Sequence, residues 1–292
     1  MFISDNIKGA LIMSGSMFAF VLNDGFMKIL FADWSIYQAI FLRGIITIPL
    51  MLFFAWKAKQ LFINLSYSDW RLIGIRTVSE VGAAIFFLSA LAHMPLANVT
   101  AILQVLPLAV TLGAAIFLSE HVNWRRWVAI FIGFIGVIII VRPGLEGFSA
   151  YSISALAAVA CVTVRDLATS RLSSKAPSMF VALITGIAIT LLGAVMLPTV
   201  VWAPIYDSHW LLLIISAVAI IFGYLFSVMA MRFGDASFIA PFRYTAMLWA
   251  IIIGVLLFND WPDQLTLLGT TIIVATGIYS FHRERLQRPV NE

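Results

Sequence analysis

Apolar residues along this chain come in long unbroken runs, separated by short stretches that carry charge, glycine or proline. The runs predict ten helices near residues 8–30, 36–56, 71–92, 97–118, 124–141, 150–171, 178–200, 210–231, 236–258 and 264–281. Two of them, Ala97–Leu118 and Leu211–Met231, contain no charged residue and are long enough to cross a bilayer, which takes about 20 residues. A strand reading fails, because the apolar/polar alternation and turn spacing of a membrane barrel are missing. The first run carries Asn23, Asp24 and Lys28 inside it and lacks a small-residue cleavage site, so it reads as a retained helix rather than a signal peptide.

Composition agrees with that pattern and narrows it. Of 292 residues, 62% are hydrophobic and 11% charged, and the mean hydropathy is +1.02. Soluble domains sit near half apolar and a quarter charged. Ten spans of about 20 residues leave roughly eight residues for each loop or terminus, too few for a sizeable soluble domain. Cys161 is the sole cysteine, which excludes a disulfide scaffold within the chain. The net charge of +4 changes meaning once the charges are placed. With the N-terminus inside, twelve of the 18 lysines and arginines fall on the cytoplasmic side, only Arg142 falls outside, and five lie within spans. This bias predicts an all-α polytopic membrane protein with ten transmembrane helices and both termini cytoplasmic. Basic residues confined to short loops serve topology and lipid contact, so they give no support to nucleic acid as a partner.

Ten spans divide into two sets of five, and an odd number per set makes the halves face opposite ways, the arrangement of two inverted repeats around a midplane site. The expected units are a first five-helix repeat over 1–145, a second over 146–285, and a cytoplasmic tail over 286–292. Residue identities between the halves are few. Ala97 to Glu120 overlays Ala236 to Asn259 at an offset of 139, with Ala97/Ala236, Ala101/Ala240 and Leu118/Leu257 identical. Ser89 and Ala92 overlay Ser227 and Ala230 at 138, and Asp24 overlays Asp166 at 142.

Short motifs recur in order along the chain: Arg43 within Phe41–Gly44, Ala90-Leu91 and Pro95–Asn98 across the third-to-fourth turn, and Pro107-Leu108. Ser119-Glu120 and the stretch Gly133–Gly144 continue the series. In these motifs the chain resembles the EamA-type, ten-helix members of the drug/metabolite transporter superfamily. The resemblance implies a carrier of metabolites or drugs working by facilitated diffusion, exchange or ion coupling. The second half departs from the first, with Thr185 at the place of Arg43 and Asn259-Asp260 where the first half has Glu120-His121. Such departures suit one asymmetric site.

Eight ionisable residues fall within spans: Asp24, Lys28, Arg43, Arg76, Glu80, Arg165, Asp166 and Arg243. Each is costly against lipid and should face the bundle interior or pair. Asp24 with Asp166, and Gln104 with Arg243, occupy matching positions of the two halves, and inversion would put each pair on opposite sides of the midplane. The i,i+4 spacings of Asp24–Lys28 and Arg76–Glu80 predict intrahelical ion pairs, whereas Arg165 and Asp166 point to different faces and need partners elsewhere. These six residues stay open between structural pairing and coupling or gating. Arg243 has no acidic residue three or four positions away, which makes it the foremost substrate-facing candidate, followed by Arg43. The intramembrane charges sum to +2, and a guanidinium can hold a carboxylate or phosphate bidentately. The expected substrate is therefore a small organic metabolite with an anionic or zwitterionic group. Gln104, Thr100, Tyr244 and Ser227 would complete its polar contacts, and Phe87, Tyr224, Tyr244 and Trp249 would flank its apolar part. Pro49, Pro107 and Pro241 permit kinks, and Gly133, Gly136, Gly254 and Gly277 permit close helix approach.

Other classes lack chemistry. His93, His121, His209 and His282 are scattered without metal-ligand spacing, and no phosphate loop or redox cysteine pair is present, so neither an enzyme nor a metal or other cofactor is expected. A channel shares the charge-lined path but not the repeat logic. Within carriers, the alternative is an exporter of amphipathic or cationic drugs recognised by Glu80, Asp24 and Asp166. The partners are the lipid bilayer, the substrate, and either protons or a counter-substrate. The chain would act as a monomer or homodimer in the inner (cytoplasmic) membrane of a bacterium.

Overall fold

The structure, a computed structural model, describes residues 5–61, 63–119, 123–143, 149–173, 175–233 and 239–287. The motif residues Glu120, His121 and Gly144, the first residues of the ninth predicted span (236–238) and the tail from residue 288 lie outside them. The described residues form helices and no strand: α1 (Asp5–Asp33), α2 (Ile36–Lys57), α3 (Tyr67–His93), α4 (Leu96–Leu103), α5 (Leu106–Phe117), α6 (Trp124–Val141), α7 (Ala150–Ser170), α8 (Ser178–Met196), α9 (Asp207–Phe233), α10 (Thr245–Phe258) and α11 (Gln264–Gln287), with 3₁₀ turns at Leu197–Thr199 and Ala240–Tyr244. Among the described residues, eight segments are long and apolar enough to cross a membrane, α4 and α5 counting together as Leu96–Phe117. Trp127–Val141 and Gln264–Ser280 are shorter apolar helices.

Helix starts follow local capping. Ser35 accepts the Gln38 amide at the head of α2. At α3, Ser66 and Asp69 form a reciprocal capping box, so the helix begins at Tyr67 and not at residue 71. Hydropathy misses this polar first turn, because caps are hydrophilic by nature. The fourth predicted span is also corrected. It is two helices, broken at Gln104 and Val105, because Pro107 donates no amide and its ring crowds the carbonyl four residues back. The ninth span opens as a 3₁₀ turn around Pro241, while Pro49 sits inside an unbroken α2.

Packing shows the duplication more plainly than the sequence. α1 lies along α9, and α3 lies along α7. α2 pairs with α8, α6 with α11, and α4 with α10. Exchanging the two sets of five predicted spans maps every one of these pairings onto another or onto itself. α2 also touches α9, and α3 touches α8, so α2, α8, α3, α7, α4–α5, α10, α1 and α9 close a ring. The α6–α11 pair packs outside that ring against α4, α5 and the Ala240–Tyr244 turn. Small residues set the self-matching contacts. Gly44 meets the Thr190 side chain, and a Cβ on Gly136 would lie 2.8 Å from the Gly269 carbonyl oxygen. Such approach is how membrane helices gain packing energy when lipid tails are as apolar as leucine. Gly254 is different: a Cβ there would meet the Asp260 carbonyl at an ordinary 3.6 Å, so this glycine serves no close helix crossing.

Candidate functional site

The two helix breaks meet. Gln104, buried at the end of α4, donates from Nε2 to the Tyr244 carbonyl in the second break at 3.0 Å. A carbonyl freed from helical bonding at membrane depth needs such a donor. Thr100 lies buried one turn earlier on α4. Tyr244 turns its ring toward Gly277 of α11, and its buried hydroxyl has no hydrogen-bond partner among the described residues. Trp249, one turn into α10, donates its indole N–H to the Ser14 carbonyl at 3.2 Å and packs edge-on against Phe18.

Arg243 belongs to the same break. Its side chain is exposed and makes no hydrogen bond or ion pair among the described residues. The charges nearest in effect are Asp166 and Arg165 of α7.

Across the ring, α3 and α7 hold a charge cluster. Arg165 donates to Glu80 Oε2 at 2.8 Å and to Asp166 Oδ1 at 2.8 Å. Arg76 donates to the hydroxyls of Thr169, at 3.0 Å, and Thr185. Two expectations are corrected here. Arg76 and Glu80 do not pair along α3, since each reaches across to another helix. Arg165 and Asp166 leave the helix about 100° apart, yet the long arginine side chain folds back onto its neighbour.

A second polar cluster joins α1, α2 and α9. The Asn23 side-chain oxygen, buried, accepts from Arg43 at 2.9 Å and from Ser216 Oγ at 2.7 Å. Its amide donates to Asp24 Oδ1 at 2.9 Å. Tyr224, on α9, stands between the clusters: Glu80, Arg165, Arg76 and Arg43 all act on it electrostatically, and its ring packs edge-on against Phe20.

Lys28 corrects the other predicted intrahelical pair. It does not bond to Asp24. Its ammonium donates to the Leu91 and Met94 carbonyls, at 2.9 and 2.5 Å, and lies 5.5 Å from the Phe258 ring centre. A cation on the last carbonyls of a helix satisfies groups that have no intrahelical donor. Lys28 therefore ties the C-terminal end of α1 to the α3–α4 turn and to the end of α10.

Phe87 packs half-buried between the two largest apolar clusters, away from the charges, and Ser227 sits half-buried on α9. Sequence reasoning passed over Asn23, Ser216, Thr169 and Ser14. Asn23 had a signal: it stands at the same offset of 142 from Arg165 as Asp24 does from Asp166. The hydroxyls had none, because serine and threonine are ordinary in membrane helices.

Comparison with known proteins follows this geometry. The model of the EamA-like transporter family matches residues 7–142 and 150–280. An S-adenosylmethionine uptake transporter of Rickettsia conorii is 27% identical over 199 residues, 65% of each chain. Pseudopaline exporter CntI of Pseudomonas aeruginosa is 25% identical over 277 residues, 93% of this chain and 95% of that one. A riboflavin transporter of Vibrio cholerae is 29% identical over 207 residues, 70% and 68% of the two chains. A solved crystal structure at 18% identity superposes over 96% of this chain and 99% of its own, with a TM-score of 0.63. That likeness shows the shared fold.

Proposed function

From the premise that this chain belongs to the EamA-like transporter family, we propose that it is a secondary carrier of a small organic metabolite bearing an anionic or zwitterionic group. It crosses the membrane ten times as two inverted repeats, 1–145 and 146–285, with both termini in the cytoplasm of a bacterium. The observation that carries the substrate reading is Arg243. It is a cation in a broken span, with Asp166 and Arg165 of α7 as the charges nearest in effect, and it is bonded to no protein acceptor among the described residues. An unpaired guanidinium at such a place is stabilised by a carboxylate or phosphate of the substrate. Gln104, Thr100, Tyr244 and Ser227 stand near the breaks or on the ring helices as its polar neighbours, with Trp249, Phe87 and Tyr224 as aromatic ones.

Alternating access follows from the unequal ends of the ring. Lys28 fastens α1 to α3 at one end. The matching residue at an offset of 142, Ser170, bonds only within α7, to the Leu167 carbonyl. Among the described residues the ammonium clamp of Lys28 thus has no counterpart at Ser170, and that end is tied differently, by Asp69 at the head of α3 accepting the Ser173 amide and hydroxyl. Unequal ties at the two ends suit a carrier open to one side. Relatives named for uptake and for export fit a carrier whose direction is set by gradients. The drug-exporter reading is weakened because two of its three recognition charges, Glu80 and Asp166, are taken by Arg165, which leaves Asp24, bonded to the Asn23 amide, as its remaining carboxylate.

The test is a thermal-stability screen of the purified chain against anionic, zwitterionic and cationic metabolites, since a ligand stabilises the state it binds. Hits are then followed by counterflow in proteoliposomes. Anionic or zwitterionic hits that show saturable counterflow, both lost in Arg243→Gln, are expected. Stabilisation by cations alone, or flux without counterflow, would overturn the reading.

A further inference from the structure

A cavity of about 70 Å³ lies at the crossing of α2 and α8, with Arg43, Thr47, Thr185, Thr190 and Tyr224 among its walls. A whole metabolite needs roughly 300–1,000 Å³, so this space fits one small group. Its position is special. α2 and α8 are the matching spans of the two repeats, packed on each other at the pseudo-two-fold axis. Arg43 and Thr185 stand at the same offset of 142 as Asp24 and Asp166. On the first-repeat side the wall carries a guanidinium directly. On the second-repeat side it carries a threonine, and Arg76 comes from α3 to bond to that threonine's hydroxyl. The Arg43 guanidinium thus lines the cavity directly, and that of Arg76 stands behind the wall residue Thr185.

Neither arginine has a carboxylate in contact among the described residues. Thr185 donates its own proton to the Val181 carbonyl at 2.9 Å, and Thr169 donates to the Arg165 carbonyl at 2.7 Å. Both hydroxyls are thereby left as acceptors, aimed at Arg76. Arg43 donates to the neutral amide oxygen of Asn23. A guanidinium has five N–H donors; Arg76 uses two of them and Arg43 one, all on neutral oxygens. Of the nearby carboxylates, Glu80 and Asp166 are held by Arg165, and Asp24, which acts on Arg43 from α1 without touching it, accepts the Asn23 amide.

We propose that Arg43 and Arg76, with Thr185 as the positioning residue for Arg76, form an oxyanion subsite at the α2–α8 crossing, separate from Arg243. It holds a carboxylate or phosphate group of the substrate between the two guanidinium groups. This rests on the carrier reading for its biological sense but not for its measurement. The substrate is then a molecule with anionic character at a second point, reached across the ring from Arg243.

The probes are sodium phosphate, sodium acetate and, at matched ionic strength, sodium chloride, with melting of the detergent-purified full chain as the readout. Phosphate or acetate should stabilise the chain saturably where chloride does not, and the stronger of the two names the oxyanion class. Arg43→Gln and Arg76→Gln should each raise the half-saturating concentration about tenfold, the loss of one charge-assisted bond. Thr185→Val, nearly isosteric, should do the same by releasing Arg76, and serves if an arginine variant fails to fold. Equal stabilisation by chloride, or unchanged half-saturation in these variants, would overturn the subsite. An anion response without metabolite counterflow overturns the carrier reading and leaves the subsite standing. Counterflow without an anion response does the reverse.

Discussion

Positions 23–24 and 165–166 are the same two places in the two repeats, filled as Asn-Asp in α1 and Arg-Asp in α7. Each first residue bonds to the acid that follows it and to a partner on a facing helix. For Asn23 the facing partners are Arg43 and Ser216, and for Arg165 the partner is Glu80. The geometry is repeated, but the charge is not. In α7 the cation is spent on two carboxylates and the cluster is closed. In α1 a neutral amide takes the place of the cation, so Arg43 bonds to a neutral oxygen and keeps most of its donors. Duplicated architecture with unequal chemistry yields a locked half and a receptive half.

The largest test of that contrast removes the first residue of each pair. Arg165→Gln should destabilise the protein by about 3–5 kcal/mol, because it leaves Glu80 and Asp166 poorly solvated without their cation. Asn23→Ala should cost about 1–3 kcal/mol, the loss of a buried amide that satisfies two donors. Denaturant or thermal unfolding of both variants measures the difference. Equal losses would mean that the two clusters are energetically alike and that the locked-versus-receptive distinction is wrong.

A middle-sized effect comes from the ends of the ring. Lys28→Met keeps the length of the apolar stem but removes the ammonium from the Leu91 and Met94 carbonyls. Hydrogen bonds to charged groups are worth about 1.5–3 kcal/mol, so opening at that end should become roughly tenfold more frequent or greater. Amide exchange in the last turn of α3 and in the α3–α4 turn reads this directly. Ser170→Ala, at the matching position of α7, should leave exchange around α9 unchanged. Faster exchange in both variants, or in neither, would remove the asymmetry on which the one-sided clamp depends.

The sequence made the matched positions legible wherever an ionisable residue stood in an apolar run. Asp24, Asp166, Arg43 and Arg243 could be found this way, and Pro107 and Pro241 marked where helices would break. Bonding partners were another matter. With every face of a span apolar, periodicity does not fix helix rotation, so Asp24–Lys28 and Arg76–Glu80 looked like pairs along a helix. Tertiary contact gave Lys28 the unsatisfied carbonyls of α3 and gave Glu80 the guanidinium of Arg165. The axial cavity was illegible for a related reason. Arg76 joins the α2–α8 crossing through Thr185, a residue whose type says nothing until its own proton is seen to be committed elsewhere.

The smallest expected effect concerns a charge contact between the two repeats, Arg142 after α6 and Asp263 before α11. Asp263 also accepts the Thr266 amide at 2.8 Å, capping α11. Partial burial works to raise its pKa, but the Thr266 amide and Arg142 outweigh it and hold the carboxyl below the usual carboxylate range. A depressed value in the folded state means stability that is fully present above the ordinary carboxylate value of about 3.9 and fades as pH falls through the lower, folded one. Asp263 is half-exposed, so the contribution should stay below about 1 kcal/mol. Asp263→Asn isolates the charge, since asparagine caps helices as well as aspartate does. The melting difference between wild type and this variant should be steady near neutral pH and shrink on acidification below about pH 4. A difference that persists unchanged in acid would assign the contact's role to capping alone and leave the repeats without an electrostatic tie at that end.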